Sequence, residues 1–479
     1  MTVAVPHSDV LIVGAGSAGS VVADRLSADP GCAVTVLEAG PALSAPGLLA
    51  QTTNGLQLPI GAGSPLVQRY RTRLTDRPVR ELPIVRGATV GGSGAVNGGY
   101  FCRGLPSDFD RAAIPGWAWP DVLDHFRAIE TDLDFDGPAH GRDGPIAVRR
   151  THEISGTTEV FVDAAQRAGF GWIADLNDVG TEPITGVGAV PLNIVDGVRT
   201  GSGAAYLIPA LSRPNLTLLA DTRAVRLRFA GAAAVGVDTI GPHGPAAITA
   251  DRIVLCAGAI ESAHLLMLSG VGEEAMLRAA GVPMVAALPV GMFCSDHPEW
   301  VLPTNWTVAA DRPVLEVVLS TADNVEIRPY TGGFVAMTGD GTAGHPDWPH
   351  IGVALMRPRA RGRITLVSAD PAVAPRIEHR YDSEPDDVAA LRQGSELARE
   401  LASTATYVGT PVWSTSQHLC GSAPMGTDGD PRAVVDHRCR VRGIENLWVI
   451  DGSILPVITG RGPHATIVML GHRAAEFVG

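Results

Sequence analysis

The chain is short of several features that would have pointed elsewhere. Aromatic residues make up only 5% of its 479 residues. No apolar run approaches membrane-spanning length, and the first, Val10 to Val13, leads straight into a glycine turn instead of a leader cleavage site. Positive charge is not in excess: the formal net charge is −13, which favours solubility and argues against a nucleic-acid surface. Six scattered cysteines (32, 102, 256, 294, 420 and 439) form no CxxC, so neither a zinc site nor a disulfide scaffold is expected. No metal site is expected either, because no compact His/Asp/Glu set stands out. GxSxG is missing, which disfavours serine hydrolysis. These absences leave a thiol-reduced, cytoplasmic protein as the expectation, with peripheral contact at the inner face of the membrane left open, and the length predicts two domains.

The 56 glycines and 36 prolines lie among apolar segments without a collagen period, so they read as turns and close backbone approaches. The stretch DVLIVGAGSAGSVVADRLSADPGCAVTVLEAG concentrates them informatively. Asp9 to Val13 reads as a buried strand, Ser17 to Ser27 as a helix and Ala33 to Leu37 as a second strand ending at Glu38. Between strand and helix, Gly14, Gly16 and Gly19 give GxGxxG. Gly14 makes the tight turn, Gly16 admits a pyrophosphate to the backbone and Gly19 allows close helix packing. The pyrophosphate is expected on the free N–H groups of the helix, and Glu38 on the adenosine ribose. The acid favours FAD or NAD over NADP and does not separate the first two.

A second cluster, RGATVGGSGAVNGGYFCRG (86–104), packs seven glycines around Asn97 and suits a loop folded against a large flat ligand. RIVLCAGAIESAHLLMLSGVG (252–272) reads as a further strand–turn–helix unit, and Leu447 to Ile450 as a strand ending at Asp451-Gly452. His464 opens an apolar helix, and His418 sits in SQHLCGSAPMG. Two imidazoles at a redox cofactor make chemical sense: one takes the hydroxyl proton of an alcohol while the other holds its oxygen. Either could equally be a hydrogen-bonded core histidine.

Together these segments resemble the glucose–methanol–choline (GMC) family of flavoprotein oxidoreductases. The likeness runs through GAGSAG with Glu38, RGATVGGSGAVN, RTGSGAAYLIPALSRPNLTLL, CAGAIESAHLLMLSGVG, the DHP at 296–298, HLCGSAPMG and VIDGSILP followed by GRGPHAT. It implies an α/β, Rossmann-like FAD-binding domain, discontinuous in sequence, and a second substrate domain built on an antiparallel sheet flanked by helices. It implies FAD as cofactor, His418 as the catalytic base and His464 as its catalytic partner. The implied cofactor-binding set is Gly14, Gly16, Ser17, Ala18, Gly19, Glu38, Ala39, Arg86, Val90, Gly92, Ser93, Asn97, Gly98, Val225, Ala257, Gly258, Asp451, Gly452, Pro463, His464 and Ala465. Two departures stand out. Val96 occupies the place where covalent members carry a flavin-linking histidine, so the FAD is expected to be non-covalent. Gly94 replaces a commoner serine. In its brevity the chain is similar to short actinobacterial members associated with mycofactocin, a peptide-derived redox cofactor. That likeness implies a small-molecule alcohol or reduced redox cofactor as donor, with electrons passed to a downstream acceptor.

The FAD-binding domain is expected over 1–150, 186–290 and 435–479, and the substrate domain over 151–185 and 291–434. Strand-like alternation in NVEIRPYTGGFVAMTG, IGVALMRPRARGRITLVS and PRIEHRY, and the helical stretch 386–404, belong to the latter. Glu326, Arg328, Trp413, Gln417 and Arg461 are candidate substrate contacts. Arg461, just before His464, is placed to attract an anionic substrate, to stabilise reduced flavin or to pair structurally with Asp451. Competing readings are an oxidase using O2, an NAD-dependent dehydrogenase and a non-catalytic FAD-binding electron-transfer module.

Overall fold

Alternating apolar runs and glycine turns build two seven-stranded sheets, with smaller sheets beside them, among the described residues. The computed structural model describes residues 7–43, 47–154, 156–178, 180, 183–307, 311–333, 347–402 and 404–479. In the first sheet, strand β1 (Ser8–Val13), helix α1 (Gly19–Ser27) and strand β2 (Val34–Leu37) form the expected unit, with the helix starting two residues later than the sequence suggests. β1 lies parallel between β2 and the C-terminal half of the long strand Gly244–Leu255, whose other edge takes Leu447–Val449 in parallel. Leu216–Leu219 extends the sheet beyond β2. The N-terminal half of Gly244–Leu255 continues outward into an antiparallel meander with Ala233–Gly241 and Arg223–Ala230. Its central strands are apolar on both faces and fully buried, as parallel strands between helices require.

The second sheet is mostly antiparallel. Its order is Val412–Thr415, Pro298–Pro303, Pro349–Leu355, Val325–Gly333, Val317–Ser320, Gly186–Ala189 and Trp172–Ile173. Helices Thr157–Arg167 and Pro385–Leu401 pack on it through a separate apolar core. Gly186–Ala189 pairs with Val317–Ser320, so this stretch belongs to the second sheet and not, as expected, to the first. The hairpin Val67–Asp76 and Val79–Gly87 pairs in turn with Arg376–Glu378, joining N-terminal chain to the later half. The tail of NVEIRPYTGGFVAMTG, residues 334–339, lies outside the described residues. Among the described residues no helix is long and apolar enough to cross a membrane.

A buried ionic knot clamps the segment between the sheets. The sequence offers no obvious metal set, yet the fold brings Glu130, Asp132 and His140 within ligand distance of one another. The ring's Nδ1 lies 3.0 Å from Asp132 and its Nε2 2.8 Å from Asp175. A ring nitrogen facing a carboxylate must carry a proton, so this imidazole is an imidazolium and offers no lone pair to a metal. Although burial opposes the charge, hydrogen bonds to Asp132 and Asp175 hold its pKa up at about 11. Arg150 bonds Asp132 at 2.6 Å and Asp175 at 2.9 Å, and Arg103 pairs with Glu130. Removing one partner strands the others as buried charge. His140→Ala is therefore expected to cost about 3–5 kcal/mol in denaturant unfolding. In the intact protein this contribution is fully present below pH 6.5 and is lost as pH rises through about 11.

Candidate active site

The glycine turn after β1 is built for close approach. Gly14 sits at φ +104°, a conformation that favours glycine, and its N–H bonds Leu37 of β2. A methyl on Gly19 would lie 2.0 Å from the Gly14 carbonyl oxygen. Ala15 and Gly40 donate amides to the Glu38 carboxylate at 3.0 and 2.9 Å, and burial pushes this carboxyl up to about 7. The amides of Gly16, Ser17, Ala18 and Gly19 take no protein acceptor among the described residues. Free amides converging at a helix start suit a pyrophosphate, so the turn fits FAD.

The second glycine loop lies against this turn. Gly91 donates to the Ala15 carbonyl at 2.7 Å, and Gly92 approaches Gly16 so closely that a methyl on it would be 2.8 Å from the Gly16 α-carbon. Val90 is buried, whereas Ser93 and Ala39 are exposed. The Asn97 side chain folds back onto the Gly99 amide, and Gly98 faces Val314. Arg86 bonds the Val85 carbonyl, and Val225 is half-buried in the meander.

Asp451 behaves differently from a ligand contact. Its carboxylate accepts from Gly258, Ser262 and Ser453, tying the strand end at Leu447–Val449 to the Ala257-Gly258 turn. Its role here is internal capping, and it does not pair with Arg461. Gly452 packs against Ile467, and Pro463 caps the final helix, His464–Ala474, in which Ala465 is fully buried.

At that helix start the His464 ring turns toward the glycine turn after β1. Its Nδ1 is 3.4 Å from Ser17 Oγ, its edge meets Phe101 at 5.6 Å, and its Nε2 is enclosed without a partner among the described residues. Burial, reinforced by Arg199, lowers its pKa to about 4. The glycine at 94 now has a physical reason: a methyl there would lie 2.4 Å from His464 Cε1 and 2.8 Å from Ser17 Oγ. The ring occupies the space that a serine side chain would need. No such dependence was legible from the loop alone.

His418 stands on the opposite chain segment. Its backbone N–H donates to Asp296 at 2.8 Å, and Asp296 also accepts from Thr415 and Tyr381. Its ring meets a residue that sequence reading quoted only as part of DHP. His297 Nδ1 is 2.8 Å from His418 Nδ1, and His297 Nε2 is 2.9 Å from the Thr459 carbonyl. A carbonyl only accepts, so His297 carries its proton on Nε2. Burial and the nearby Arg328 lower His297 to about 4, so the ring is neutral and Nδ1 is a lone pair. His418 must then donate through Nδ1. Burial, His297 and Arg328 hold its pKa well below the ordinary value, so it too is neutral, with the lone pair on Nε2. No protein group among the described residues bonds that nitrogen, and the ring edge faces Gly462 two residues before His464.

Two candidate substrate contacts resolve as structure. Gln417 accepts the Val85 amide at 2.8 Å from a left-handed backbone (φ 64°), and Trp413 packs edge-on against Trp300 and stacks on Tyr381.

Two models of the GMC oxidoreductase family match the sequence, over residues 8–299 and 358–471. The chain is 41% identical to a GMC-type oxidoreductase from the thcA 5′ region of Rhodococcus erythropolis, covering 98% of both. It is 31% identical to an oxygen-dependent choline dehydrogenase of Brucella anthropi, over 98% of this chain and 95% of that one. Among solved structures, pyridoxine 4-oxidase from Mesorbium loti superposes with a TM-score of 0.88 at 27% identity, covering 98% and 99% of the two chains. Formate oxidase, at 23% identity and a TM-score of 0.86 over 98% of each chain, shares the fold.

If His464 fills the space beside Gly94, the two positions must be coupled. Gly94→Ala is expected to cost about 1–3 kcal/mol as an overpacked site. Combining it with His464→Ala should recover most of that loss, a coupling well above about 0.5 kcal/mol in a denaturant double-mutant cycle.

Proposed function

Because the chain belongs to the GMC oxidoreductase family, and so is an FAD-dependent oxidoreductase acting on CH–OH donors, we propose that His418 is its catalytic base and O2 its electron acceptor. The observation that carries the first part is the relay Thr459 carbonyl, His297, His418, whose 2.9 and 2.8 Å steps leave an unprotonated Nε2 on a neutral ring. FAD, which would be held non-covalently because Val96 offers no linking histidine, would supply the hydride acceptor when bound. The chain's own residues do the rest. His418 Nε2 takes the hydroxyl proton of the alcohol, and the positive charge that forms on its ring stays hydrogen-bonded to His297 through Nδ1. His297 cannot turn away because Thr459 holds its other nitrogen, and the Asp296 carboxylate fixes the His418 backbone. The enclosed His464, whose Nε2 has no partner among the described residues, would assist from beside the second glycine loop.

O2 as acceptor is supported by relatives whose names include an oxygen-dependent dehydrogenase and an oxidase. The link to mycofactocin implied by the short chain gains no support from the relatives' names or from the fold. Oxygen consumption with an alcohol donor, compared with dye reduction under nitrogen, tests the acceptor. An enzyme that reduces dye and leaves O2 untouched would return the dehydrogenase reading to first place.

The base itself predicts a pH profile. Its folded pKa is depressed, so Nε2 stays unprotonated from alkaline pH down through 6.5, and activity is lost only as pH falls through a lower value. Anaerobic stopped-flow flavin reduction should therefore be flat across neutrality. His418→Ala should keep FAD and slow that reduction by roughly 100-fold or more; an unchanged rate would remove the role.

A further inference from the structure

Beside the base lies a buried wall of charge that the proton transfer does not use. Arg328 bonds Glu326 through Nε at 2.7 Å, and through Nη1 reaches Glu299 at 3.2 Å and Ser416 at 2.8 Å. Arg461 bonds the other Glu326 oxygen at 3.0 Å and Ser320 at 2.8 Å, while the Tyr100 hydroxyl shares that oxygen at 3.0 Å. All four charged residues are at most 5% exposed. The wall adjoins His418 at two points. Ser416 is two residues before it, and the Tyr100 ring and His418 Cε1 both face Gly462, the residue after Arg461.

The charges balance. Glu299 and Glu326 meet Arg328 and Arg461 in ion pairs, and Asp296 and the half-buried Arg86 offset each other at longer range. Among the described residues of the wall no carboxylate is left over to receive a cation, and burying a quaternary ammonium there without a partner is costly. Of the two ion-paired arginines, Arg461 is incompletely used. Nε and Nη2 of Arg461 are enclosed and have no partner among the described residues. A guanidinium edge of that kind matches two oxygens of a planar acceptor.

The geometry points to Arg461 as the residue that selects the substrate: its free edge receives a carboxylate or carbonyl oxygen carried by the alcohol, and the neutralised wall turns away quaternary-ammonium alcohols. This rests on the reading of the chain as an alcohol-oxidising enzyme, and it separates the chain from relatives named for choline.

Three alcohols sharing HO–CH2–CH2 test it on the FAD-loaded protein: 3-hydroxypropanoate, the neutral 3,3-dimethylbutan-1-ol and choline. Each is titrated anaerobically, with perturbation of the flavin band read as binding and its bleaching read as oxidation. The hydroxy acid is expected to bind most tightly and choline to leave the spectrum unchanged. Arg461→Lys keeps a cation on Glu326 but lacks the second edge. It should retain FAD and melting temperature while the affinity ratio of hydroxy acid to neutral alcohol falls at least ~10-fold. Choline binding as tightly as the hydroxy acid, no perturbation by the hydroxy acid, or a ratio in Arg461→Lys within a factor of about two of the original would overturn the assignment. Hydroxy-acid binding without bleaching by any alcohol would uphold the subsite and count against oxidation instead.

Discussion

Two imidazoles sharing one proton are the constraint on which the site depends. With Thr459 accepting from His297, only one arrangement of protons satisfies the pair while both rings stay neutral. That arrangement leaves the lone pair of His418 on Nε2. It demands that the DHP segment, the HLCGS segment and the loop before the final helix be held together to within a few tenths of an ångström. Much of the surrounding structure does this. Asp296 gathers the amides of His297 and His418, the Thr415 hydroxyl and the Tyr381 hydroxyl. Gln417, in a strained backbone conformation, carries the anchoring on to Val85 and so to the strand that leads into the glycine loop.

Arginine supplies the rest of the rigidity. The chain contains no lysine, so all 37 of its basic residues are arginine. The guanidinium keeps its charge when buried and bonds in a fixed fork, which suits the two enclosed networks seen here. One, around His140, ties the segment between the sheets. The other, Arg328 with Glu326, Glu299 and Arg461, joins the second sheet to the loop before the final helix. Such networks are weak arguments for net stability, because desolvation offsets most of their Coulombic gain. Their effect is positional: each group has one place in which its charge is answered.

What could be read from the sequence follows from distance along the chain. The β1–α1–β2 unit, Glu38, the second glycine loop and the helix opening at His464 are local patterns, set by apolar periodicity and by turns that only glycine tolerates. The second sheet was legible as alternation, but its edge was not: Gly186–Ala189 looks like a continuation of the first domain until its partner Val317–Ser320 is known. Side-chain pairs made across the fold were hidden. His297 and His418 are 121 residues apart, and Glu326 and Arg461 are 135 apart. No local property of either residue announces its partner. The same holds for Gly94, whose absent side chain makes sense only against a ring 370 residues later.

The central claim is a tautomer, and a tautomer can be observed directly. A nitrogen-15 NMR spectrum of the FAD-loaded protein labelled in histidine, assigned by comparison with His418→Gln, reports which ring nitrogen of His418 carries the proton. The account predicts a neutral ring protonated at Nδ1 with a bare Nε2, persisting as pH is lowered through 6.5. A ring protonated at Nε2 alone, or an imidazolium already formed near neutrality, would contradict it.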